Sequence, residues 1–459
     1  MRTETDFLGP VALPDDCLYG AQTARAKDNF ALDYKKTNPQ LLRAMILVKK
    51  AAAQSFAEME KDNPAQRDAY TAIDQACDRL LQDSSEDMFP VDALQGGAGT
   101  STNMNVNEVL ANAALRILGQ DAGRYDIIHP LDHVNRYQST NDAYPTALRI
   151  AAILLLRELS AECAALQESL QKKENQFDHI KKLGRTELMD AIPVTLGSEF
   201  GAYAQAIARD RWRLYKVEER LRQVNIGGAA VGLHQSADKE THRLKHHYSH
   251  LVIEKLRELT GIGLAAAEYP MDITQNNDVF VEASGLLKAL SVNLTKIAGD
   301  LRLMNSGPHG GLMEIRLAPM QEGSTVMPGK VNPVIPEMVI QCAIKAQAND
   351  YSITIAATRG EFELNAFLPL IADAILESLT LLKNACRIFR TKCVDTLHAN
   401  EAQCKAHLDA SYAFAATYTP TLGYDAVSRI VHQHKDDATQ IKAALKKEHE
   451  GATGRHRRV

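Results

Sequence analysis

Residues 146–173 (TALRIAAILLLRELSAECAALQESLQKK) carry apolar side chains at helical spacing along their whole length. Four further segments have the same pattern, and they lie at 197–222, 276–306, 334–357 and 367–393. Five segments of this length predict an elongated helical bundle. Each is more apolar than one buried face requires, as in the run AAILLL at 151–156. We therefore expect additional burial between subunits.

The N-terminal part of the chain also favours helices. Residues 41–59 and 66–81 have apolar side chains at helical spacing, with charged residues on the opposite face of the second segment. Alternation of apolar and polar residues, which is typical of strands, is scarce throughout the chain. The fold class predicted from the sequence is therefore all-α.

The composition excludes several classes of protein. A net charge of −5 and a pI near 6.3 argue against a nucleic-acid binder, which would carry a basic stripe. Residues 1–6 contain acidic side chains and lack the apolar core of a signal peptide, and no apolar run approaches the length of a membrane span. Seven cysteines without a C-x-x-C pair are typical of reduced thiols. These features predict a cytoplasmic protein.

Residues 323–333 (GSTVMPGKVNP) have the composition of an ordered functional loop. Two glycines allow close approach of the backbone, and two prolines stiffen the loop. Lys330 supplies a positive charge and Asn332 an amide donor, a pair suited to a carboxylate. Ser324 could act as a base only if positive charge and backbone donors stabilise its alkoxide. From this stretch alone, a solvated turn with an incidental lysine is an equal alternative.

Two polar clusters precede the long helices. Residues 95–105 (QGGAGTSTNMN) form a glycine-rich loop that runs into hydroxyls and amides and lacks the lysine of a phosphate loop. This favours hydrogen bonding to a small polar ligand over nucleotide binding. Residues 129–135 and 138–142 form the second cluster, which could present hydroxyls and helix-end amides to an anion. Helix capping explains part of this cluster.

Three histidines, at positions 242, 246 and 250, fall on one helical face and could in principle bind a transition metal. No cysteine or carboxylate completes a recognisable metal-site spacing. A solvated helix is the preferred interpretation, and we predict no metal site.

Four blocks together resemble the aspartase/fumarase superfamily: QGGAGTSTNMNVN (95–107), HVNRYQSTNDAYPT (133–146), GRTELMDAIPVTLGSEF (184–200) and GSTVMPGKVNP (323–333). The match is colinear and covers about residues 4–430. It implies an all-helical subunit with a long central five-helix bundle. It also implies a homotetramer with a 20-helix core, in which each active site is assembled from three chains. The implied domains are 1–138, 139–395 and a small helical 396–459, and the charged stretch 446–450 predicts a disordered tail.

The resemblance also implies a mechanism. Members of this superfamily eliminate an amine or water from a succinyl-type substrate, and they use a serine base on the signature loop. That serine is Ser324 here, and no metal or organic cofactor is needed. Position by position, the donors to the dianionic intermediate are Thr100, Ser139, Thr140, Thr186 and Thr325. Lys330 and Asn332 would hold the other carboxylate, with Asn141 near the leaving group.

Ser139–Thr140–Asn141 is similar to the STN of aspartases, whereas fumarases usually have SSN. We therefore predict an ammonia-lyase that converts L-aspartate to fumarate. Fumarate hydration is an alternative that Thr140 disfavours. A non-catalytic scaffold is a further alternative, and the retained Ser324 and Lys330 argue against it.

Two departures from the superfamily pattern bear on the substrate. Glu187 stands near the leaving group, where relatives usually have histidine or glutamine, and a carboxylate there would repel a dicarboxylate unless it is protonated or paired. Leu233 and His234 replace small polar residues near the pocket. Both changes would suit an amino-acid betaine with a cationic leaving group such as trimethylamine. Neutral drift outside the contact shell is the alternative for Leu233 and His234.

Overall fold

The computed structural model describes residues 1–83, 86–233, 236, 238–435 and 437–456. Within these residues most of the regular secondary structure is helical. The helices are α1 (Ala21–Asn29), α2 (Pro39–Met59), α3 (Pro64–Gln82), α4 (Thr100–Ile117), α5 (Thr140–Gln176), α6 (Leu196–Leu221), α7 (Lys239–Thr260), α8 (Pro270–Gln275), α9 (Asp278–Met304), α10 (Val334–Ala357), α11 (Leu368–Phe389), α12 (Glu401–Ala410), α13 (Thr419–Leu422), α14 (Tyr424–Gln433) and α15 (Ala438–His456). The all-α prediction and the long helices predicted from periodicity are thus confirmed.

Four small two-stranded sheets accompany the helices. They are β1 (Arg2–Asp6) with β2 (Gly9–Leu13), β3 (Lys181–Thr186) with β4 (Met189–Thr195), β5 (Gln223–Val224) with β6 (Ala265–Ala266), and β7 (Ile315–Arg316) with β8 (His398–Ala399). The β5–β6 pair is parallel and the other three are antiparallel. The β3–β4 hairpin overlaps the block 184–200, which the sequence had not identified as containing a pair of strands.

The chain divides into two compact units. The first contains residues 1–160, 212–289 and 344–383, and the second contains 161–211, 290–343 and 384–459. Since these ranges are not the predicted domains, the division at 138/139 and 395/396 stays a prediction. The predicted disordered tail also stays a prediction, and its last residues, 457–459, lie outside the described part of the chain.

In the first unit, side-chain contacts link all five long helices. The contacts are Arg157 with Glu218 at 2.9 Å (α5 to α6), Glu158 with Lys383 at 2.8 Å (α5 to α11), Asn349 with Ser378 at 3.1 Å (α10 to α11) and Ser284 with Asp350 at 2.6 Å (α9 to α10). Helices α2, α3 and α7 share an aromatic core in which the Phe56 ring lies 5.1 Å from that of Tyr70 and 4.8 Å from that of Tyr248.

The second unit holds the other parts of the long helices and the C-terminal helices. Here α6 contacts α9 through Asn293 and Asp210 at 2.7 Å, and α5 contacts α11 through the thiols of Cys163 and Cys386, 4.0 Å apart. The C-terminal helices pack around the buried side chains of Ile441 and Leu445. No described helix is both long enough and apolar enough to cross a membrane.

The predicted start of the first long helix, at residue 146, is wrong. Pro145 lies inside the observed helix, although proline lacks the N–H that a helix interior requires. The helix nevertheless begins at Thr140 and runs through Pro145. The carbonyl of Asn141, four residues before the proline, accepts a hydrogen bond from the side-chain amide of Asn225 at 3.0 Å instead. This substitute donor allows the polar 139–142 cluster to form the first turn of α5.

Candidate active site

The first turn of α5 presents the polar residues 139–142. The Ser139 hydroxyl oxygen accepts a hydrogen bond from the backbone N–H of Asn141 at 3.2 Å, and Asp142 Oδ1 accepts one from the N–H of Ser139 at 2.9 Å. This reciprocal pattern is a helix capping box. Because the Ser139 oxygen is used as an acceptor, its hydrogen remains available to donate elsewhere.

The hydroxyl oxygen of Thr140 is also used as an acceptor. Its side-chain oxygen accepts a hydrogen bond from the amide of Asn103 at 3.0 Å, and Asn103 lies in the first turn of α4. This bond joins the N-termini of two helices, where backbone N–H groups and helix dipoles favour anions. Thr100, the first residue of α4, differs because its hydroxyl donates to the Gly97 carbonyl at 2.8 Å.

A buried carboxylate ties the start of α5 to a neighbouring turn. Asp142 Oδ2 accepts hydrogen bonds from the backbone N–H groups of Gly227 at 3.0 Å and Ala229 at 2.9 Å. The Asn141 side chain donates to the carbonyl of Ala230 at 2.8 Å. Burial raises the pKa of Asp142 to about 7, although these backbone donors oppose the shift. The turn at 227–230 therefore helps to fix Asn141.

Sequence reasoning missed a fully buried lysine beneath these residues. Lys49 Nζ donates to Asn135 Oδ1 at 2.8 Å and to Gln138 Oε1 at 2.9 Å. Asn135 Oδ1 also accepts from the amide of Asn103 at 3.2 Å, so the network reaches Thr140. Burial lowers the pKa of Lys49 from 10.5 to about 7, with the Asp142 charge opposing the shift.

A signal for this lysine was present in the sequence. Lys49 follows Met45 by four residues and precedes Ala52 by three and Phe56 by seven, so it shares their face of α2. All three of these neighbours are fully buried. A cation on an apolar helical face is rare unless it has polar partners.

In the second unit, the loop 323–333 is closed at its base. The Gly323 N–H donates to the Lys330 carbonyl at 2.9 Å, and the Asn332 side chain donates to the Gly323 carbonyl at 2.7 Å. A Cβ at position 323 would lie 2.4 Å from the Lys330 oxygen, which explains the glycine. One of the two amide hydrogens of Asn332 is thus used to close the loop, and the other remains for a ligand.

Ser324 has the donors that a serine base needs. Its hydroxyl oxygen accepts hydrogen bonds from the backbone N–H groups of Val326 at 3.1 Å and Met327 at 2.9 Å. Two fixed donors to one oxygen stabilise a negative charge on it. These contacts supply backbone donors, and the assignment of Ser324 as the base stays a prediction.

A cavity of about 1070 Å³ lies beside the loop within the second unit. Its lining includes Lys330 and Asn332 together with Arg302, His309 and Arg316. Three basic side chains suit an anionic ligand, and the carboxylate of Glu337, which also lines the cavity, pairs with one of them, Arg302, at 3.4 Å. Thr325, which is exposed on the same loop, does not contribute to this lining.

Thr186 and Glu187 lie at the tip of the β3–β4 hairpin, and both are exposed. Glu187 and Leu188 form the two-residue turn with φ values of 55° and 65°. Positive φ at both positions is the signature of a type I′ turn, which usually contains asparagine and glycine. The register of the hairpin shifts at Gly184, where a Cβ would lie 2.6 Å from the Ile192 carbonyl oxygen.

The candidate residues therefore fall into two groups. The first unit brings together Thr100, Ser139, Thr140 and Asn141, and the second unit carries Thr186 and Glu187 on the hairpin and Ser324, Thr325, Lys330 and Asn332 on the loop. Leu233 and His234 are the two residues that replace small polar residues near the predicted pocket. Leu233 is 43% exposed, and His234 lies outside the described residues.

Comparison with known proteins identifies close relatives. A family model described as lyase matches residues 9–348. The chain is 41% identical over 433 residues to an aspartate ammonia-lyase of a Bacillus species, a match that covers 94% of this chain and 90% of the relative.

Solved structures of related proteins are also similar to this chain. A fumarate lyase:delta crystallin structure from Brucella melitensis matches with a TM-score of 0.88 and 40% identity, covering 96% of this chain and 99% of that one. A class II fumarase from Schistosoma mansoni matches with a TM-score of 0.87 and 28% identity, covering 97% and 95%.

The Lys49 site makes a prediction about pH. Between pH 7 and 9 the unfolded lysine is protonated and the buried one loses its proton, so the penalty for burying the charge fades as the pH rises. This term should add about 2 kcal/mol to the free energy of unfolding over that range. We expect Lys49→Met to remove this contribution, so that the change in its free energy of unfolding from pH 7 to pH 9 is about 2 kcal/mol less positive than that of the native chain, as measured by denaturant unfolding at fixed protein concentration.

The adjacent Lys50→Met is the matched control. Lys50 pairs with Asp74 and Asp78, which raise its pKa above 10.5 against the effect of burial, so its contribution is constant between pH 7 and 9. This variant should be less stable yet keep the rise of the native chain. An equal rise in both variants would contradict a neutralised Lys49.

Proposed function

We propose that this chain, which belongs to the lyase family, is a carbon–nitrogen lyase that eliminates ammonia from L-aspartate to give fumarate. The observation that carries the proposal is the loop 323–333, where two backbone N–H groups contact the Ser324 oxygen and Lys330 lies on the same closed loop. The similarity to an aspartate ammonia-lyase supports the choice of substrate.

Ser324 is the proposed base. Its alkoxide removes a proton from C3 of aspartate, the carbon next to the β-carboxylate, and the C–H electron pair moves into that carboxylate as an enediolate. The electron pair then forms the C2–C3 double bond, while the C2–N bond breaks and its electrons leave with nitrogen. Ammonia departs, fumarate remains and Ser324 holds the proton.

The dianionic enediolate is the intermediate that needs most stabilisation, so donors must already point to where the charge develops. Ser139 and Thr140 suit this role because other groups already bond to their oxygens. Thr186 and Thr325 are exposed donors on the hairpin and the loop. The Thr100 hydroxyl would have to leave the Gly97 carbonyl in order to donate, whereas the dipole of α4 would favour an anion at its N-terminus without any rearrangement.

The second carboxylate of the substrate is assigned to Lys330 and Asn332, beside the cationic cavity. Asn141, which is held by the 227–230 turn, lies near the leaving amine. Closure of the loop over the substrate would exclude water and bring Ser324 to C3. These steps use only side chains and backbone, so the proposed chemistry needs no metal or organic cofactor.

Glu187 favours a second candidate function. Among the described residues it has no cationic partner within the chain, although it lies on the same exposed turn as Thr186. A free carboxylate at that position would attract a substrate with a permanently cationic amine, such as an amino-acid betaine. The same elimination would then release trimethylamine.

The assembly that we propose is a homotetramer with shared active sites. In the first unit, α10 exposes an apolar stripe of Ile344 (57%), Tyr351 (71%) and Ile355 (46%), and α6 exposes Trp212 (64%) and Tyr215 (69%). Exposed apolar side chains at such density are typical of interfaces.

We also propose a cytoplasmic location, in agreement with seven free thiols among the described residues.

Ser324→Ala tests the base. Loss of a positioned base should lower kcat for fumarate formation from L-aspartate by about 10²- to 10⁴-fold, with secondary structure unchanged by circular dichroism. Ser352→Ala, a substitution on α10 outside the site, should keep native kcat. Native turnover in Ser324→Ala would exclude this residue from proton transfer.

Shared active sites can be tested by mixing two inactive variants. Thr140→Val disables the residue group of the first unit and Ser324→Ala that of the second. If one site takes these residues from different chains, mixed tetramers made by coexpression should recover about a quarter of native activity, since a quarter of the sites then receive both native residues. No recovery in verified mixed tetramers would place both residues in the same chain's site.

A further inference from the structure

One buried carboxylate in the second unit has no role in the chemistry described so far. Glu314 is completely buried, with Oε1 2.8 Å from Arg185 Nη2 and 2.9 Å from His407 Nδ1, and with Oε2 2.8 Å from Lys182 Nζ. Burial alone would raise the pKa of Glu314, but Arg185 and Lys182 lower it from 4.5 to about 2. The group is therefore a permanent anion at neutral pH.

These partners come from different parts of the chain. Lys182 and Arg185 lie on β3, and Arg185 immediately precedes Thr186 at the tip of the hairpin. His407 lies on α12, where Gln403 contacts its other ring nitrogen at 2.7 Å. Since an ionised carboxylate only accepts hydrogen bonds, His407 Nδ1 carries the hydrogen that faces Glu314.

The backbone around Glu314 is fixed as well. Its carbonyl accepts a hydrogen bond from the N–H of Asn400 at 2.9 Å, and the Asn400 side chain donates to the Met313 carbonyl at 2.9 Å. The next two residues form β7, paired with β8, and the chain then leads to the loop that carries Ser324. Glu314 thus stands where the loop segment, the hairpin and α12 meet.

The hairpin needs such an anchor. Glu187 and Leu188 both hold positive φ values that L side chains rarely adopt, so the turn is strained by its own sequence. Strain of this kind persists only when the surroundings hold the conformation. Arg185 lies two residues before this turn on β3, and its guanidinium pairs with the buried carboxylate of Glu314. Among the described residues of β3, no side chain closer to the turn has such a contact.

We infer that Glu314 is a positioning residue that, through Arg185, holds Thr186 and Glu187 in place for the substrate and connects them to the Ser324 loop and to α12. This role rests on the proposed function, because it assumes that Thr186 and Glu187 contact the substrate. It makes a C-terminal helix part of the support of the active site. Glu314 does not itself touch the substrate.

Glu314→Gln is the first test, with Glu199→Gln as its matched control. Glu199 also pairs with Lys182, at 2.9 Å, and makes no contact with Arg185. Displacement of the hairpin should lower kcat/KM for L-aspartate by about 100-fold in Glu314→Gln, largely through a higher KM. In Glu199→Gln we expect kcat/KM to change by less than about threefold, because Lys182 still pairs with Glu314 in that variant.

Hydrogen exchange supplies a readout that does not depend on the substrate. Amides of residues 181–195 should exchange faster in Glu314→Gln than in the native chain and in Glu199→Gln. Unchanged exchange in the hairpin, with unchanged kcat/KM, would overturn the inference. If the native chain fails to convert L-aspartate, the proposed function fails, and the exchange comparison alone decides the role of Glu314.

A second pair of variants covers the case in which Glu314→Gln does not fold. Arg185→Lys keeps a positive charge near Glu314, and Arg185→Met keeps only the length of the side chain. Protection of the hairpin should decrease from arginine to lysine to methionine, and kcat/KM should follow the same order. Equal protection in all three would overturn the role of this ion pair.

Discussion

A hydroxyl can stabilise a developing anion only if its hydrogen is not already bound elsewhere, and the site is built around this constraint. Asn141 supplies a donor to the Ser139 oxygen, Asn103 supplies one to Thr140, and the backbone at 326–327 supplies two to Ser324. Because the Ser139 and Thr140 oxygens already accept hydrogen bonds, their hydrogens remain free to donate. The two backbone donors at 326–327 stabilise an alkoxide at Ser324.

Keeping those donors in place requires charges in the interior. Asp142 binds the 227–229 turn, Lys49 binds Asn135 and Gln138, and Glu314 binds Arg185 near the tip of the hairpin. Each of these groups is buried, and burial of a charge is costly unless polar partners surround it. The chain provides such partners as backbone N–H groups, amide oxygens or cations, and these contacts link the buried groups to the residues assigned to the substrate or to their neighbours.

Much of this could be predicted from the sequence, for physical reasons. Long helices have a periodicity that is visible in apolar residues, and the 323–333 loop is marked by its glycines, prolines and lysine. The start of α5 was misplaced because the amide of Asn225, distant in sequence, replaces the donor that Pro145 lacks. The hairpin was missed because its turn is Glu187–Leu188, which no turn rule selects. Glu314 acts through contacts with residues far along the chain, so local patterns do not reveal it. Lys49 was marked only by its place on the apolar face of α2, and its polar partners Asn135 and Gln138 lie far along the chain.

The central claim is the elimination of ammonia from L-aspartate, and the most direct test measures both products. Purified native chain is incubated separately with L-aspartate, L-malate and an amino-acid betaine, while fumarate is followed by ultraviolet absorbance and released amine is assayed in parallel. We expect equal amounts of fumarate and ammonia from L-aspartate. No product from L-aspartate or L-malate, together with release of trimethylamine from the betaine, would contradict the aspartate proposal. That result would mean that the carboxylate of Glu187 selects a substrate with a cationic amine.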